Sequence, residues 1–361
     1  MPVISRRLAL KTMLVGLPLT HACTSKNARP HSQPTSTPSY ENPLESLDGL
    51  EIHASAAEIV RVGGESVLSL DGLVVHPSFD LQEACVEVEV LAKGSCYPGI
   101  GFHLSDADDF ELTYAVPHAS GQPDAIQYDP IFNGSNTWQI YNGPAFQRSA
   151  SVPQEVWFTL RVDFTPGRAA VRIDGQPPLV IDPLAHGRRS GRIGLWTYGP
   201  ALFKNLGVSA PAPLDAMSGY PQVKKPGTIS EWMLPGVGII TCEANGVLNL
   251  NRYLRPSEEP VSVLHSFHMP ASQDVEFGLG FSDELILQLD GETIFQGENK
   301  FSGFESLMTR GWIVPESRKT KCHLAAGSHV LSATVRVTEP FGWGLTVTST
   351  RGLSGELHRD R

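Results

Sequence analysis

The sequence predicts an all-β protein built as two consecutive β-sandwich domains. Three observations carry this expectation. Apolar residues recur at every second position through long stretches of both halves. No stretch shows a helical apolar stripe with caps. Asp-Gly pairs punctuate the alternation where tight hairpin turns need positive φ. Gly 34 and Pro 28 among 361 residues, with many Val, Thr and Ile, fit short strands joined by turns.

Residues 1–23 read as an export signal that is removed. Arg6-Arg7 lies in Ser5–Lys11, and an apolar run follows from Met13 to Leu19. That run is shorter than the roughly 20 apolar residues of a bilayer span. The arginine pair resembles a twin-arginine consensus, and Leu19-Thr20-His21-Ala22-Cys23 resembles a bacterial lipobox, with His an unusual third residue. The resemblance implies cleavage before Cys23, lipidation of Cys23, and a membrane-anchored lipoprotein facing the periplasm or the cell exterior. The alternative is an ordinary signal peptide with a chance cysteine. Residues 24–44, rich in Ser, Thr, Pro and Asn, read as a disordered tether.

Residues 45–210 form the first expected sandwich. Val86, Val88 and Val90 alternate with Glu87 and Glu89. Phe158, Leu160, Val162 and Phe164 alternate with Thr159, Arg161 and Asp163. Ala169, Val171 and Ile173 follow in the same period, ending at the Asp174-Gly175 turn. Each strand has one apolar and one wet face, as stacked sheets require. Residues 211–227 break the period with Pro and Gly and read as a linker. Alternation resumes over 228–350, with Leu285, Leu287 and Leu289 before the Asp290-Gly291 turn and Leu331, Ala333, Val335 and Val337 later. A polar tail over 351–361 closes the chain.

Several motif series carry a resemblance. Gly99-Ile100-Gly101-Phe102, the run Ser105–Leu112, Trp157–Val162, Ile173-Asp174-Gly175, Gly191–Trp196 and Phe203–Leu206 occur in order. Together they resemble the concanavalin A-like lectin/glucanase superfamily, including laminin-G-like and keto-disaccharide hydrolase-like domains. That resemblance implies a jelly-roll sandwich and a carbohydrate ligand held on the concave face and adjoining loops. In the second half, Phe277–Phe281, Asp283–Gly291, Ile294–Gly297 and Leu324–Leu331 resemble galactose-binding-like jelly rolls.

The stretch Phe110–Tyr141 is the candidate site. Tyr114, Tyr128, Phe132, Trp138 and Tyr141 are interleaved with His118, Gln122, Asp124, Gln127, Asp129, Asn133 and Asn136. Rings that stack on apolar sugar faces, mixed with amides that bond hydroxyls, suit a glycan. Tyr114, His118, Gln127, Tyr128, Asn133 and Trp138 are the candidate ligand residues. The competing expectation is that the rings plug one end of the sandwich. Trp312 and Trp343 are read as packed rings before sugar contacts.

Chemistry is less legible. The chain lacks the Glu-x-Asp-x-x-Glu strand of laminarinase-type members, in which paired carboxylates act as nucleophile and acid. Weak acid/base candidates are His118, Asp124 and Asp129. Asp106, Asp108 and Asp109 are weak calcium candidates, since carboxylate oxygens suit that ion. No other metal, no cofactor and no phosphate loop is expected. A formal charge of -10 without a basic stripe argues against nucleic acid. Beyond Cys23, Cys85, Cys96, Cys242 and Cys322 allow one bridge per half or free thiols. The leading expectation is a non-catalytic glycan-binding envelope protein. A glycoside hydrolase or lyase for modified disaccharides and a structural assembly protein are the alternatives.

Overall fold

The computed structural model describes residues 39–306, 309–351 and 353. The export signal, Cys23 and residues 24–38 of the expected tether lie outside the described residues. The described regular elements are β-strands and short 3-10 turns, among them Pro117–Ala119 and Leu250–Arg252.

The first twelve strands are β1 (Tyr40–Asn42), β2 (Glu51–Val62), β3 (Glu65–Leu81), β4 (Ala84–Ala92), β5 (Gly99–Leu104) and β6 (Glu111–Ala115), then β7 (Ile126–Tyr128), β8 (Gln147–Arg148), β9 (Phe158–Thr165), β10 (Arg168–Ile173), β11 (Leu179–Ile181) and β12 (Gly191–Ser209). They form one hydrogen-bonded sheet, ordered β11-β10-β9-β4-β12-β5-β6-β7-β8, with β1 and β3 also on β12 and β2 on β3. The early part of β12, Arg192–Trp196, pairs with β5, and its later part, Ala201–Ser209, pairs with β4. A register shift between Thr197 and Ala201 bends the strand. The bend folds the sheet over itself, so that β5–β8 face β4, β9, β10 and β11 across one core. Val86, Val88, Val90, Leu160, Val162 and Val171 meet Ile100, Phe102, Ile126 and Tyr128 there, and Phe102 stacks on Phe164 at 4.8 Å.

The period-two segments all appear as strands, and the Asp174-Gly175 and Asp290-Gly291 turns have positive φ at both residues. The last residues that the sequence assigns to a tether, up to Leu44, belong to the fold. Tyr40–Asn42 is a strand paired with Leu206–Val208, and the Tyr40 hydroxyl bonds His76 at 2.8 Å.

The second group comprises β13 (Glu231–Leu234), β14 (Gly238–Thr241), β15 (Leu248–Asn249), β16 (Val261–Met269), β17 (Gln273–Ser282), β18 (Glu284–Leu289), β19 (Glu292–Glu298), β20 (Arg318–Leu324), β21 (Gly327–Arg336) and β22 (Gly344–Ser349). They make a six-stranded sheet, β14-β13-β16-β21-β18-β19, and a four-stranded sheet, β15-β22-β17-β20. Trp232, Phe267, Leu287 and Ala333 from the first pack with Phe277, Leu279, Phe281 and Val347 from the second. Trp343 is fully buried in this core, as its flanking glycines allow.

Cys85, Cys96, Cys242 and Cys322 are all free thiols. Neither half therefore carries a bridge, and β4 and β5 each pair with β12 rather than with one another.

Candidate functional site

The insertion Phe110–Tyr141 does not line an open groove. Tyr114, Tyr128, Phe132 and Tyr141 are buried, and Trp138 is half-buried. Its last part, from Phe132 onward, is the joint between the two groups of sheets. The Asn133 amide donates to the Asn251 carbonyl at 2.7 Å, and the Ser282 hydroxyl donates to Gln139 at 2.8 Å. The Ile313 N–H donates to the Gln139 carbonyl at 2.8 Å. The Phe132 ring lies between the His186 imidazole, 3.8 Å away, and the Arg252 guanidinium, 4.4 Å away. Trp138 sits edge-on to Phe301, Trp312 and Phe341. Rings and amides together suit a polar joint as well as they suit a sugar: the rings exclude water, and the amides satisfy backbone groups that burial would orphan. Tyr128 is thus enclosed in the core, and Asn133 and Trp138, both half-buried, have partners in the joint.

Strand alternation separates Tyr128 from its neighbour Gln127. Tyr128 pairs with Thr113 and faces the core, where its hydroxyl donates to Glu111 at 2.5 Å. Gln127 pairs with Tyr114 and faces the other way. Register then lines up Leu73, Trp196, Gly99, Tyr114, Gln127 and Gln147 in one row across β3, β12, β5, β6, β7 and β8. Directly paired residues share a face, and this one is the outer face of the layer, with its own apolar cluster.

Gly99 explains the shape of that face. A Cβ there would lie 2.5 Å from the Thr113 carbonyl oxygen and 2.8 Å from the Tyr114 Cβ. Without it, the Trp196 and Tyr114 rings approach to 5.6 Å across the gap. Tyr97 packs edge-on to Tyr114 at 5.8 Å and to His118 at 5.0 Å, and Tyr198 lies 6.0 Å beyond Tyr97. Tyr114 is the buried centre of a platform whose outer members are accessible: Tyr97 and Trp196 are half-buried, His118 and Tyr198 exposed. Tyr198 is 66% exposed.

The amides beneath are already committed. The Gln127 Nε2 donates to the Asp124 carbonyl at 3.1 Å, and the single Tyr114 hydroxyl proton is shared between Gln127 Oε1 and Asp129 Oδ2, each 3.2 Å away. Gln127 and Gln147 therefore hold the floor. Asp124 lies beside the platform, close enough for its charge to act on both Tyr97 and His118. Burial holds the His118 imidazole below its usual range, with the Asp124 charge opposing. Burial raises the Tyr97 phenol, helped by Tyr198 and Asp124. Asp124 is ion-paired with Arg310, whose guanidinium also lies over the Trp312 ring at 4.8 Å. Asp124 Oδ1, Arg310 Nε and Trp312 Nε1 have no protein partner.

The weak catalytic set divides. His118 and Asp124 come together at the platform. Asp129 is fully buried behind Tyr114, accepting from the Thr137 N–H at 2.8 Å. Burial pushes its carboxyl up to about 7, against the Thr137 and Tyr114 hydrogen bonds. Glu111, also pushed to about 7 by burial, is sealed in the core. The calcium set disperses too. Asp108 pairs with Arg255, Asp109 faces Arg188 at 3.9 Å, and Asp106 accepts from the Asp108 N–H at 2.8 Å. Among the described residues no group of three His, Cys, Asp or Glu side chains is placed to hold a metal.

Sequence reasoning missed Tyr97, Trp196, Tyr198 and Arg310. Trp196 lies in the Gly191–Trp196 motif, which speaks for the fold and not for a ligand. Tyr97 and Tyr198 are brought together by the backbone bond from the Tyr97 N–H to the Tyr198 carbonyl, at 3.0 Å. Arg310 reaches Asp124 from 186 residues away, and no local pattern signals that.

No protein-family model matches the chain, and no curated protein matches it. Among solved structures, a carbohydrate binding module from Bacillus subtilis is 13% identical, covering 45% of this chain and 96% of that one, with a TM-score of 0.34. The Bacillus licheniformis β-glucanase is 11% identical, covering 49% and 99%, with a TM-score of 0.34. A Bacillus subtilis protein described as having a galectin-like fold is 11% identical, covering 49% and 96%, with a TM-score of 0.37. At these scores they bring no residue role or activity to this chain.

Proposed function

We propose that this chain is an exported, lipid-anchored glycan-binding protein, non-catalytic, whose first sandwich is concanavalin A-like and whose second is galactose-binding-like. One observation supports the binding role above the others: the platform of Tyr97, Trp196, His118 and Tyr198 around buried Tyr114, edged by the Asp124–Arg310 pair. Flat rings contact the C–H faces of a pyranose, and imidazole and phenol groups bond its hydroxyls. The membrane anchor at Cys23 and the location outside the cytoplasm rest on the signal-like sequence alone. A glycan array probed with the purified chain and with Tyr198→Ala tests the reading. Binding of a glycan that the variant loses supports it; an array with no sugar retained overturns it.

A glycoside hydrolase or lyase is the second reading. It has one observation in its favour, the proximity of His118 and Asp124. Against it, the Asp124 carboxylate is 7% exposed and tied to Arg310, so it is poorly placed to exchange protons with a substrate. Release of reducing ends from a retained glycan, abolished by His118→Ala, would establish it.

A further inference from the structure

A second polar site lies on the opposite face of the first sandwich. Residues Glu87 of β4, Thr159 and Arg161 of β9, and Arg172 of β10 point away from the core, because Val86, Val88, Leu160, Val162, Val171 and Ile173 alternate with them and point inward. Glu87, Arg161 and Arg172 stand in one paired row. With the turn Asp174–Pro178 they line a solvent-open depression of about 480 Å³. That falls within the range of small-ligand sites, roughly 300–1,000 Å³.

Its base is built. Asp163 is fully buried and accepts from Arg161 Nε at 3.0 Å and Nη2 at 2.8 Å, from Arg172 Nη1 at 3.1 Å, and from the Ala212 N–H at 2.8 Å. Burial alone would raise its carboxyl; the Arg161 hydrogen bonds, the Ala212 N–H and Arg172 hold it below the usual range. Two guanidiniums are thereby locked in position, and Arg161 Nη1 is left 3.8 Å from Glu87. The Thr159 N–H fixes Asp174 through Oδ1 at 2.8 Å. The cavity wall thus offers guanidinium donors from Arg161 and Arg172, the Thr159 hydroxyl, and acceptors on Glu87 and Asp174. Pro177 and Pro178 form an apolar side.

Two guanidiniums stand among three carboxylates, Asp163, Glu87 and Asp174, so this is no trap for a strong anion. Donors and acceptors side by side, with an apolar wall, match a polyhydroxylated neutral ring. We propose that this cavity is a second, independent binding site for a neutral saccharide unit, on the face opposite the aromatic platform. It extends the glycan-binding reading, but its failure is separable from that one because the two sites share no residue.

The test is calorimetric titration of the purified chain with cellobiose, maltose and laminaribiose, with glucuronate as the anionic control, followed by crystals soaked with the tightest of these. The expected result is sugar in the cavity, weakened about tenfold by Glu87→Gln with Thr159→Val and unchanged by Tyr198→Ala. Glu87 is exposed and Thr159 half-buried, and circular dichroism checks the folding of the double variant before titration. An empty cavity with all three disaccharides, binding that the double variant leaves unchanged, or preference for glucuronate overturns the proposal. Loss of a platform isotherm through Tyr198→Ala, with the cavity empty, overturns this site alone.

Discussion

Arg310 and Asp124 form an ion pair across the joint between the two groups of sheets, with side chains only 12% and 7% exposed. A pair this enclosed holds the second group against the edge of the platform. Removing one partner strands the other charge in a poorly solvated place. Arg310→Ala is expected to lower the thermal midpoint by roughly 5 °C, and Arg310→Met with Asp124→Asn to recover most of it. Scanning fluorimetry on the three proteins decides the matter. Equal midpoints for Arg310→Ala and the unaltered chain would show that the pair does not couple the halves.

The platform separates binding from folding. Tyr198 is exposed, so Tyr198→Ala is expected to leave the thermal midpoint within roughly 1 °C while weakening glycan affinity about tenfold. Trp196→Ala removes a ring that also packs on Tyr114, and both quantities should fall. Titration against a glycan found on the array, paired with melting curves, resolves the two effects.

Gly99 predicts a geometric lesion. A Cβ 2.5 Å from the Thr113 carbonyl oxygen forces β5 and β6 apart. Gly99→Ala should cost on the order of 2 kcal/mol and blunt glycan binding even where the protein still folds. Denaturant titration measures the first effect and affinity the second.

Asp129 makes stability depend on pH. Its carboxyl is raised by burial to about 7 in the folded protein, against an ordinary value near 3.8. A raised folded pKa means that the folded state holds its proton longer than the unfolded chain. The associated stability is complete below about pH 4 and is lost as pH rises toward 7. Asp129→Asn keeps the acceptor for Thr137 and lets Tyr114 donate to Gln127. It is expected to flatten that decline and to be more stable than the unaltered chain at pH 8, by an amount on the order of 2 kcal/mol. Melting curves between pH 4 and 8 check the crossover. Parallel curves would show that Asp129 is ionised in the fold throughout.

The strands were legible because alternation is a local property. Val86–Val90, Phe158–Phe164 and Leu331–Val335 each reveal a wet and an oily face within a few residues. The candidate site was legible only in part. Tyr114, His118 and Asp124 belong to the platform region, yet nothing nearby in sequence separates a ring that meets solvent from one that meets the second group of sheets. That choice is made by long-range register. The Thr113–Tyr128 and Tyr114–Gln127 pairings send adjacent residues to opposite faces, and Asn133 and Trp138 find partners more than a hundred residues away. Composition looks the same in a ligand loop and in a joint, because both must exclude water and satisfy backbone at once.

The short β1 ladder has a mechanical consequence. Its three residues lie on Leu206–Val208 of β12, the strand that serves both layers of the first sandwich. Tension applied ahead of Tyr40 is met first by these few hydrogen bonds and by the Tyr40–His76 contact. Under a pull this three-residue ladder is the one expected to open first, ahead of the longer ladders that β12 makes with β3, β4 and β5.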